Sequence, residues 1–271
     1  MDFGVARVRR AGLAYFIAVT PTHPAHGEPA WQIDWRAAVG STNDELAALV
    51  AAGALRDIVV ATDNQTAGHG RLGREWTSPP GTGLAMSALV DESRVPVGAL
   101  PERSALVPLL AGMAVVDTLE NHGLRAHLKW PNDVLVNGRK VAGVLCRAID
   151  SRVIVGIGVN TSLREVDLPV PTAGSMSMFG VDVGARDLLT DLLKSLTARL
   201  KQWREHGDED LLADYRDMCT SIGMRVRVHM AASEFTADAV GVDDHGALVV
   251  VRDGEAITVS AGDVIHLRED A

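Results

Sequence analysis

The heptapeptide Gly68-His69-Gly70-Arg71-Leu72-Gly73-Arg74 stands just behind a short apolar run, residues 57–61, and two folds compete for it. Its glycines keep the GxGxxG spacing of a dinucleotide site, which would make the chain a doubly wound α/β oxidoreductase. Such a site needs the third glycine to open a helix whose N-terminus holds pyrophosphate. Here Trp76 is followed by Thr77-Ser78-Pro79-Pro80-Gly81, which cannot continue a helix. The next regular segment, residues 83–90, reads as another buried strand, so the heptapeptide is a loop between two strands. Glycines let that loop close over a ligand, while Arg71 and Arg74 offer planar, permanently charged donors to a phosphate or carboxylate. Taken alone, such a loop is as readily a solvated connection.

On the N-terminal side, Ser41-Thr42-Asn43-Asp44-Glu45 carries helix-capping and first-turn acidic residues, and Gly53 supplies the stop. On the C-terminal side, Leu106, Leu109, Leu110, Met113 and Val116 share one helical face, with Gly123 as the stop. This helix is expected to cover one side of the sheet. Asn137-Gly138 between residues 134–136 and 140–149 is a strong hairpin signal, so the sheet contains antiparallel pairs. Residues 153–159 return as a further strand, and leucines at 188, 189, 192, 193, 196 and 200 mark a long helix over 185–206, ended by Gly207. Beyond Ser221 short alternating strands follow, near 224–230, 234–242, 247–251, 255–260 and 263–267.

The pattern predicts an α+β protein. A mixed, largely antiparallel sheet with flanking helices occupies residues 31–220, and a small C-terminal β barrel occupies 221–271. Residues 1–30, with Pro21, Pro24 and Pro29, read as a flexible extension. Arg7, Arg9 and Arg10 ahead of the apolar run 11–19 have the outline of an export signal, but the run is weak and too short to span a bilayer. Apolar residues at 47% and charged residues at 23% fit an ordinary globular chain. The net charge of -9 disfavours a nucleic-acid partner. Cys146 and Cys219 form no metal-ligand spacing and read as two reduced thiols in a cytoplasmic protein. Nothing points to a membrane.

Lys129 ends an apolar strand, where a lysine needs a reason to be, either a polar cavity or a stem running past Trp130 to solvent. Asn132 and Asp133 could cap the turn after Pro131 or hold Mg²⁺ with nucleotide phosphates. Ser41, Thr42 and Asn43 suit a helix cap, and Gln65 and Asn160 are neutral polar groups at strand ends, where sheet sites gather. Each signal alone is weak.

As an ordered set they resemble a family. Ser41-Thr42-Asn43, Gln65 through Trp76, Lys129-Trp130-Pro131-Asn132-Asp133, Arg139-Lys140-Val141-Ala142-Gly143-Val144-Leu145 and Gly156 through Asn160 look like the signatures of biotin protein ligases. The similarity runs from about Gly40 to the C-terminus. It implies a sheet of the class II synthetase and lipoate-ligase type with an SH3-like C-terminal barrel. It also implies an ATP-dependent ligase that converts biotin to biotinyl-5'-AMP, releases pyrophosphate, and transfers biotin to a lysine of a biotin carboxyl carrier domain of a biotin-dependent carboxylase. By the same resemblance, Ser41, Thr42, Asn43, Gln65, Gly68, His69, Gly70 and the backbone at Gly143 would hold biotin. Arg71 and Lys129 would lie against its carboxylate and the α-phosphate as the catalytic pair. Arg74, Trp76, Asn132 and Asn160 would serve the nucleotide, and Asp133 would hold Mg²⁺.

Some members add an N-terminal winged helix and repress transcription; residues 1–40 are too short and proline-rich for one, so no repressor activity is expected. His69 departs from the pattern, since the family usually has arginine there, which puts retention of the adenylate in question. A lipoate or octanoate transferase and a non-catalytic biotin or nucleotide sensor are the competing readings. A sheet edge in this fold is open to pairing with a second copy.

Overall fold

The computed structural model describes residues 31–267 apart from 55, 92, 97, 101–102, 231–232 and 261. It also describes a two-rung ladder of Arg9–Arg10 with Leu13–Ala14. The expected flexibility of residues 1–30 otherwise lies outside the described residues. The larger sheet is built from β1 (Gln32–Trp35), β2 (Ile58–Thr62), β3 (Gly83–Val90), β4 (Ala126–Lys129), β5 (Asp133–Val136), β6 (Arg139–Ile149) and β7 (Arg152–Asn160). Their spatial order is β1-β2-β3-β7-β6-β5-β4; β1 pairs with β2 in parallel and every other ladder is antiparallel. Asn137 and Gly138 turn the β5–β6 hairpin with φ of 49° and 76°, the left-handed pair such a turn requires.

Alternation along the strands sends side chains into two separate cores, because successive residues face opposite sides of a sheet. Ile58, Val60, Leu89 and Ile154 pack against Leu46 and Val50 of α1 (Thr42–Ala51). Val59, Ala61, Met86, Ala88 and Val155 face the other way, into the large core under α2 (Val107–Asn121). Both faces are covered at these points, which is why the strands read as nearly unbroken apolar runs. The expectation of an apolar stripe on α2 is too narrow: Val107, Ala111, Ala114 and Val115 are buried as well. This helix lies between the sheet and α3 (Ala185–Met218) and so has little free surface.

Gly207 interrupts α3 with φ 83° and ψ −168°. It ends the predicted helix over 185–206, and a second helical stretch, 208–218, follows at once. The sequence reading missed that stretch; it carries Leu211, Leu212 and Tyr215 into the same core. Arg199 ties the two stretches together, bonding Asp214 at 2.7 Å and Asp117 of α2 at 2.6 Å.

The C-terminal residues form β8 (Arg225–His229), β9 (Glu234–Val242), β10 (Leu248–Arg252), β11 (Glu255–Val259) and β12 (Asp263–His266), close to the predicted strands. They make an antiparallel sheet in the order β11-β10-β9-β8-β12, and no ladder joins β11 to β12 among the described residues. Their inward residues, among them Val226, Val228, Val250 and Val264, belong to the same core as the larger sheet. The turn at Gly246 presses on α2, since a Cβ there would meet Leu109 Cδ1 at 2.8 Å, and its carbonyl accepts Trp130 Nε1–H at 3.0 Å. Both cysteines are free, and burial pushes the Cys146 thiol up to about 12, so it stays protonated at neutral pH. No helix is long and apolar enough to cross a membrane among the described residues.

Near the β1 edge, Asp57 accepts Arg94 Nη2–H at 2.7 Å and Nε–H at 3.0 Å, both residues buried, and the guanidinium lies 3.5 Å over the Trp31 ring. Asp57→Asn tolerates the local φ of 58° yet takes the Asp57 carboxylate away from a buried guanidinium. Urea unfolding is expected to show a loss of about 3 kcal/mol. A loss below about 1 kcal/mol would mean the pair adds little beyond an exposed one.

Candidate active site

Past the small core under α1, the same face of the sheet loses its side chains. Ala85 and Ser87 of β3 stand beside Gly158 and Gly156 of β7, and these pair with Gly143 and Leu145 of β6. A Cβ on Gly156 would lie 2.4 Å from Asn43 Oδ1, and one on Gly158 would lie 2.6 Å from Trp76 Cε2. Over this floor opens a cavity of about 350 Å³, at the small end of the range, roughly 300–1,000 Å³, of small-molecule sites. Its line runs along β7 from Gly156 past Gly158 to Asn160, about 13 Å at strand spacing.

At the Gly156 end a polar cluster is held by its own hydrogen bonds. Thr42 N–H donates to Gln65 Oε1 at 2.9 Å, and Asn43 Nδ2–H donates to Leu145 O at 3.0 Å. The buried Ser87 hydroxyl lies 2.8 Å from Thr42 Oγ1 and 2.7 Å from Asn43 Oδ1. Ser41 takes the N-cap position of α1 by backbone conformation, without a side-chain capping bond. It lines the cavity with Thr42 and Asn43.

The glycine-rich loop crosses the cavity as a small hairpin, with Gly68–His69 paired to Glu75–Trp76 around a single 3₁₀ turn, Arg71–Gly73. No helix opens at its third glycine, as its context predicts. Arg71 donates to Gly262 O at 3.1 Å and to Asn132 Oδ1 at 3.4 Å, and Arg74 pairs with Asp263. Burial moves Arg71 below its ordinary pKa, Asp263 and Asp133 oppose the shift, and the guanidinium stays charged at any working pH. His69 Nε2 lies 3.1 Å from Asp44 Oδ2, and Arg147 meets the other oxygen of that carboxylate at 3.5 Å.

Lys129 projects from the end of β4, and its Nζ lies 3.7 Å from Asp133 Oδ2. The other Asp133 oxygen is 2.5 Å from Lys140 Nζ, and Lys140 in turn lies 5.5 Å over the Trp76 ring. With both oxygens engaged by ammonium groups, Asp133 reads as a counter-charge. No group of three or more His, Cys, Asp or Glu suited to a metal occurs among the described residues. The donor set therefore does not fit a protein-built Mg²⁺ site.

Of the residues singled out from sequence, Ser41, Thr42, Asn43, Gln65, His69, Gly70, Arg71, Arg74, Trp76, Lys129, Asn132, Asp133, Gly143 and Asn160 line this one cavity. Gly68 does not. A Cβ there would strike the Gln65 amide at 2.3 Å and Trp76 O at 2.4 Å, so it allows the close packing of the loop's base. The sequence reading left out Lys140, Gly156, Gly158 and the wall formed by Pro169, Val170, Thr172 and Ala173. Lys140, Gly156 and Gly158 stand inside the quoted motifs, at strand positions whose facing only the sheet register reveals. The wall carries no motif; it is set by the backbone bonds Lys140 N–H to Thr172 O and Gly174 N–H to Lys140 O.

Beside Lys129, His266 Nε2 lies 2.8 Å from the hydroxyl of buried Ser221, and burial together with the Lys129 charge lowers its pKa from 6.5 to about 4. Above pH 6.5 the imidazole is neutral in both folded and unfolded chains. Below it the unfolded chain takes the proton first. Stability should therefore fall as pH drops from 6.5 toward 4, and level off for this group below that. Denaturant titrations across this window check it. His266→Gln should flatten that part of the profile, and an unchanged profile would contradict the assignment.

Residues 40–162 match the Biotin/lipoate A/B protein ligase family, and residues 221–267 match the Biotin protein ligase C terminal domain. Biotin--[acetyl-CoA-carboxylase] ligase of Mycobacterium tuberculosis is 39% identical over 249 residues, covering 88% of this chain and 90% of that protein. The bifunctional ligase/repressor BirA of Bacillus subtilis is 32% identical, covering 71% of this chain and 61% of that protein. Biotin protein ligase from Aquifex aeolicus, solved in complex with biotin and ATP, superposes with a TM-score of 0.73 at 27% identity, covering 88% of this chain and 99% of that one. With a relative this similar along nearly its whole length, and the ordered motifs gathered around one cavity, the chain belongs to the biotin protein ligase family.

Proposed function

We propose that this cavity joins biotin to ATP as biotinyl-5'-AMP, and that the chain then transfers biotin to a lysine of a biotin carboxyl carrier domain, in the cytoplasm. The observation that carries the reading is a cavity laid along β7, with neutral polar groups at the Gly156 end and Arg71, Lys129 and Lys140 further along. A carboxylate is a poor electrophile until it is esterified to a good leaving group. In the first step a biotin carboxylate oxygen bonds to the α-phosphorus, the bond to the bridging oxygen breaks, and pyrophosphate leaves. Negative charge then gathers on the α-phosphate and the departing pyrophosphate, and preorganised cations lower that barrier.

In this reading Thr42, Asn43 and Gln65 receive the polar ring end of biotin. Arg71 and Lys129 meet the carboxylate and α-phosphate, and Trp76 and Asn160 flank the nucleotide. Asp133 keeps Lys129 and Lys140 apart and oriented before ligand arrives. Mg²⁺ enters with ATP, because its usual ligands are phosphates, waters and at most one or two carboxylates. In the second step the carrier lysine's neutral amine attacks the acyl carbon, AMP leaves, and the nitrogen sheds a proton. The loop over the floor keeps water from the mixed anhydride until the carrier docks. Homodimerisation through the β1 edge is part of the same proposal, and sizing with and without biotin and ATP tests it.

The direct test incubates the purified chain with ATP, Mg²⁺, biotin and a carrier domain, and weighs the carrier. One biotinyl addition is expected; no gain, or gain with lipoate alone, would sink the reading. Lys129→Ala should slow adenylate formation by about 10²–10³-fold, with thermal unfolding near wild type because Asp133 keeps Lys140. An equal collapse of folding would make Lys129 structural. Gly156→Ala places a methyl group against Asn43. It should raise the KM for biotin by roughly tenfold or more while leaving the KM for ATP within about twofold. Parallel rises in both would argue that Gly156 shapes the whole cavity.

A further inference from the structure

The segment that carries Lys129 is held from outside the cavity by residues that have no part in ligand contact. On the far side of β4, Leu128 O accepts both Thr220 N–H and Thr220 Oγ1–H at 2.9 Å. Two residues on, Trp130 N–H donates to Ser221 Oγ at 3.0 Å. Residues 219–221 thus bond the free edge of β4, and Leu128 forms a parallel bridge with Cys219. Ser221 has no exposed surface, so its own proton needs an acceptor. With the Trp130 amide as donor on one side, that acceptor is His266 Nε2 at 2.8 Å. The imidazole then carries its proton on Nδ1 and is neutral. His266 itself is fixed in β12 by pairing with Val226.

We propose that Ser221 and His266 are positioning residues for adenylate formation: the relay from His266 through Ser221 to the Trp130 amide sets the peptide plane that aims Lys129 into the cavity. This rests on the function proposed above. The Lys129 stem is long and unbranched, so its head is placed only as well as the backbone that bears it. Two anchors act on that backbone, the Leu128 carbonyl held by Thr220 and the Trp130 amide held by Ser221, on either side of Lys129. The first is local to the connecting segment. The second depends on a strand more than forty residues later. It makes the C-terminal sheet part of the catalytic geometry, not only a covering domain. A protonated His266 could not accept from Ser221 and would bring a second positive charge toward Lys129, so the relay works with the neutral ring.

The test compares Ser221→Ala, His266→Ala and His266→Gln in the full chain, with melting temperature as the folding control. Gln offers a side-chain oxygen that can accept from Ser221. His266→Ala and Ser221→Ala should lower kcat for biotinyl-adenylate formation roughly tenfold or more, with the KM for biotin within about twofold, and His266→Gln should recover most of the rate. Hydrogen exchange at residues 126–133 should quicken in both alanine variants and not in His266→Gln. Wild-type kcat and wild-type exchange in the alanine variants would overturn the proposal, as would His266→Gln behaving like His266→Ala. Should His266→Ala fail to fold, Ser221→Ala and His266→Gln decide alone. The exchange arm needs no turnover. A wild-type chain that makes no adenylate would therefore defeat the functional reading while the relay is still judged by exchange.

Discussion

Gly143, Gly156 and Gly158 strip one patch of a two-faced sheet of its side chains, and Asn43 and Trp76 come down onto the backbone that is left. Most of the site follows from that absence. A strand covered on both faces would ordinarily fill each position with an apolar side chain, as Leu89 and Ile154 do beneath α1. Where the glycines begin, only the first turn of α1 remains over the sheet, with Asn43 against Gly156, and beyond it the cavity opens. The close approach also explains why the loop must be rich in glycine itself. Gly68 lies against Gln65 and the Trp76 carbonyl, with no room for a Cβ.

Charge is arranged around the floor in the same economical way. Asp133 lies between two lysines, Asp263 takes Arg74, and the Gly262 carbonyl takes Arg71. Four cations can thus gather about one cavity without unrelieved repulsion before a polyanionic substrate arrives. A nucleotide entering here exchanges protein counter-charges for its own phosphates. The net affinity is then a difference between two sets of paired charges. Asp263 opens β12 and the Gly262 carbonyl immediately precedes it, so the loop and the C-terminal sheet answer to each other.

Much of this was legible in the chain. Caps, stops and the Asn137-Gly138 turn located α1 and the β5–β6 hairpin, and apolar alternation located the five C-terminal strands, to within a residue or two, because these signals act locally. Proline after Trp76 excluded the dinucleotide fold for the same reason. What stayed hidden depends on register or on distance. Gly156 and Gly158 look like ordinary strand glycines until their partners Ser87 and Ala85 are known. Lys140 looks like a turn lysine until Asp133 is set beside it. Gly207 read as a stop, yet a second helical stretch follows it, since packing of Leu211 and Leu212 on the core outweighs a local break. Ser221 and His266 carried no signal, because a buried hydroxyl and an imidazole 45 residues apart meet only in the folded chain.

The glycine-floored cavity is proposed to activate biotin as an adenylate before any carrier is present. Exchange of labelled pyrophosphate into ATP, run without carrier domain, tests it most directly. Exchange that requires biotin, and that falls with Lys129→Ala, is the result expected. Exchange that proceeds without biotin, or none at all from a chain that binds both substrates, would contradict it.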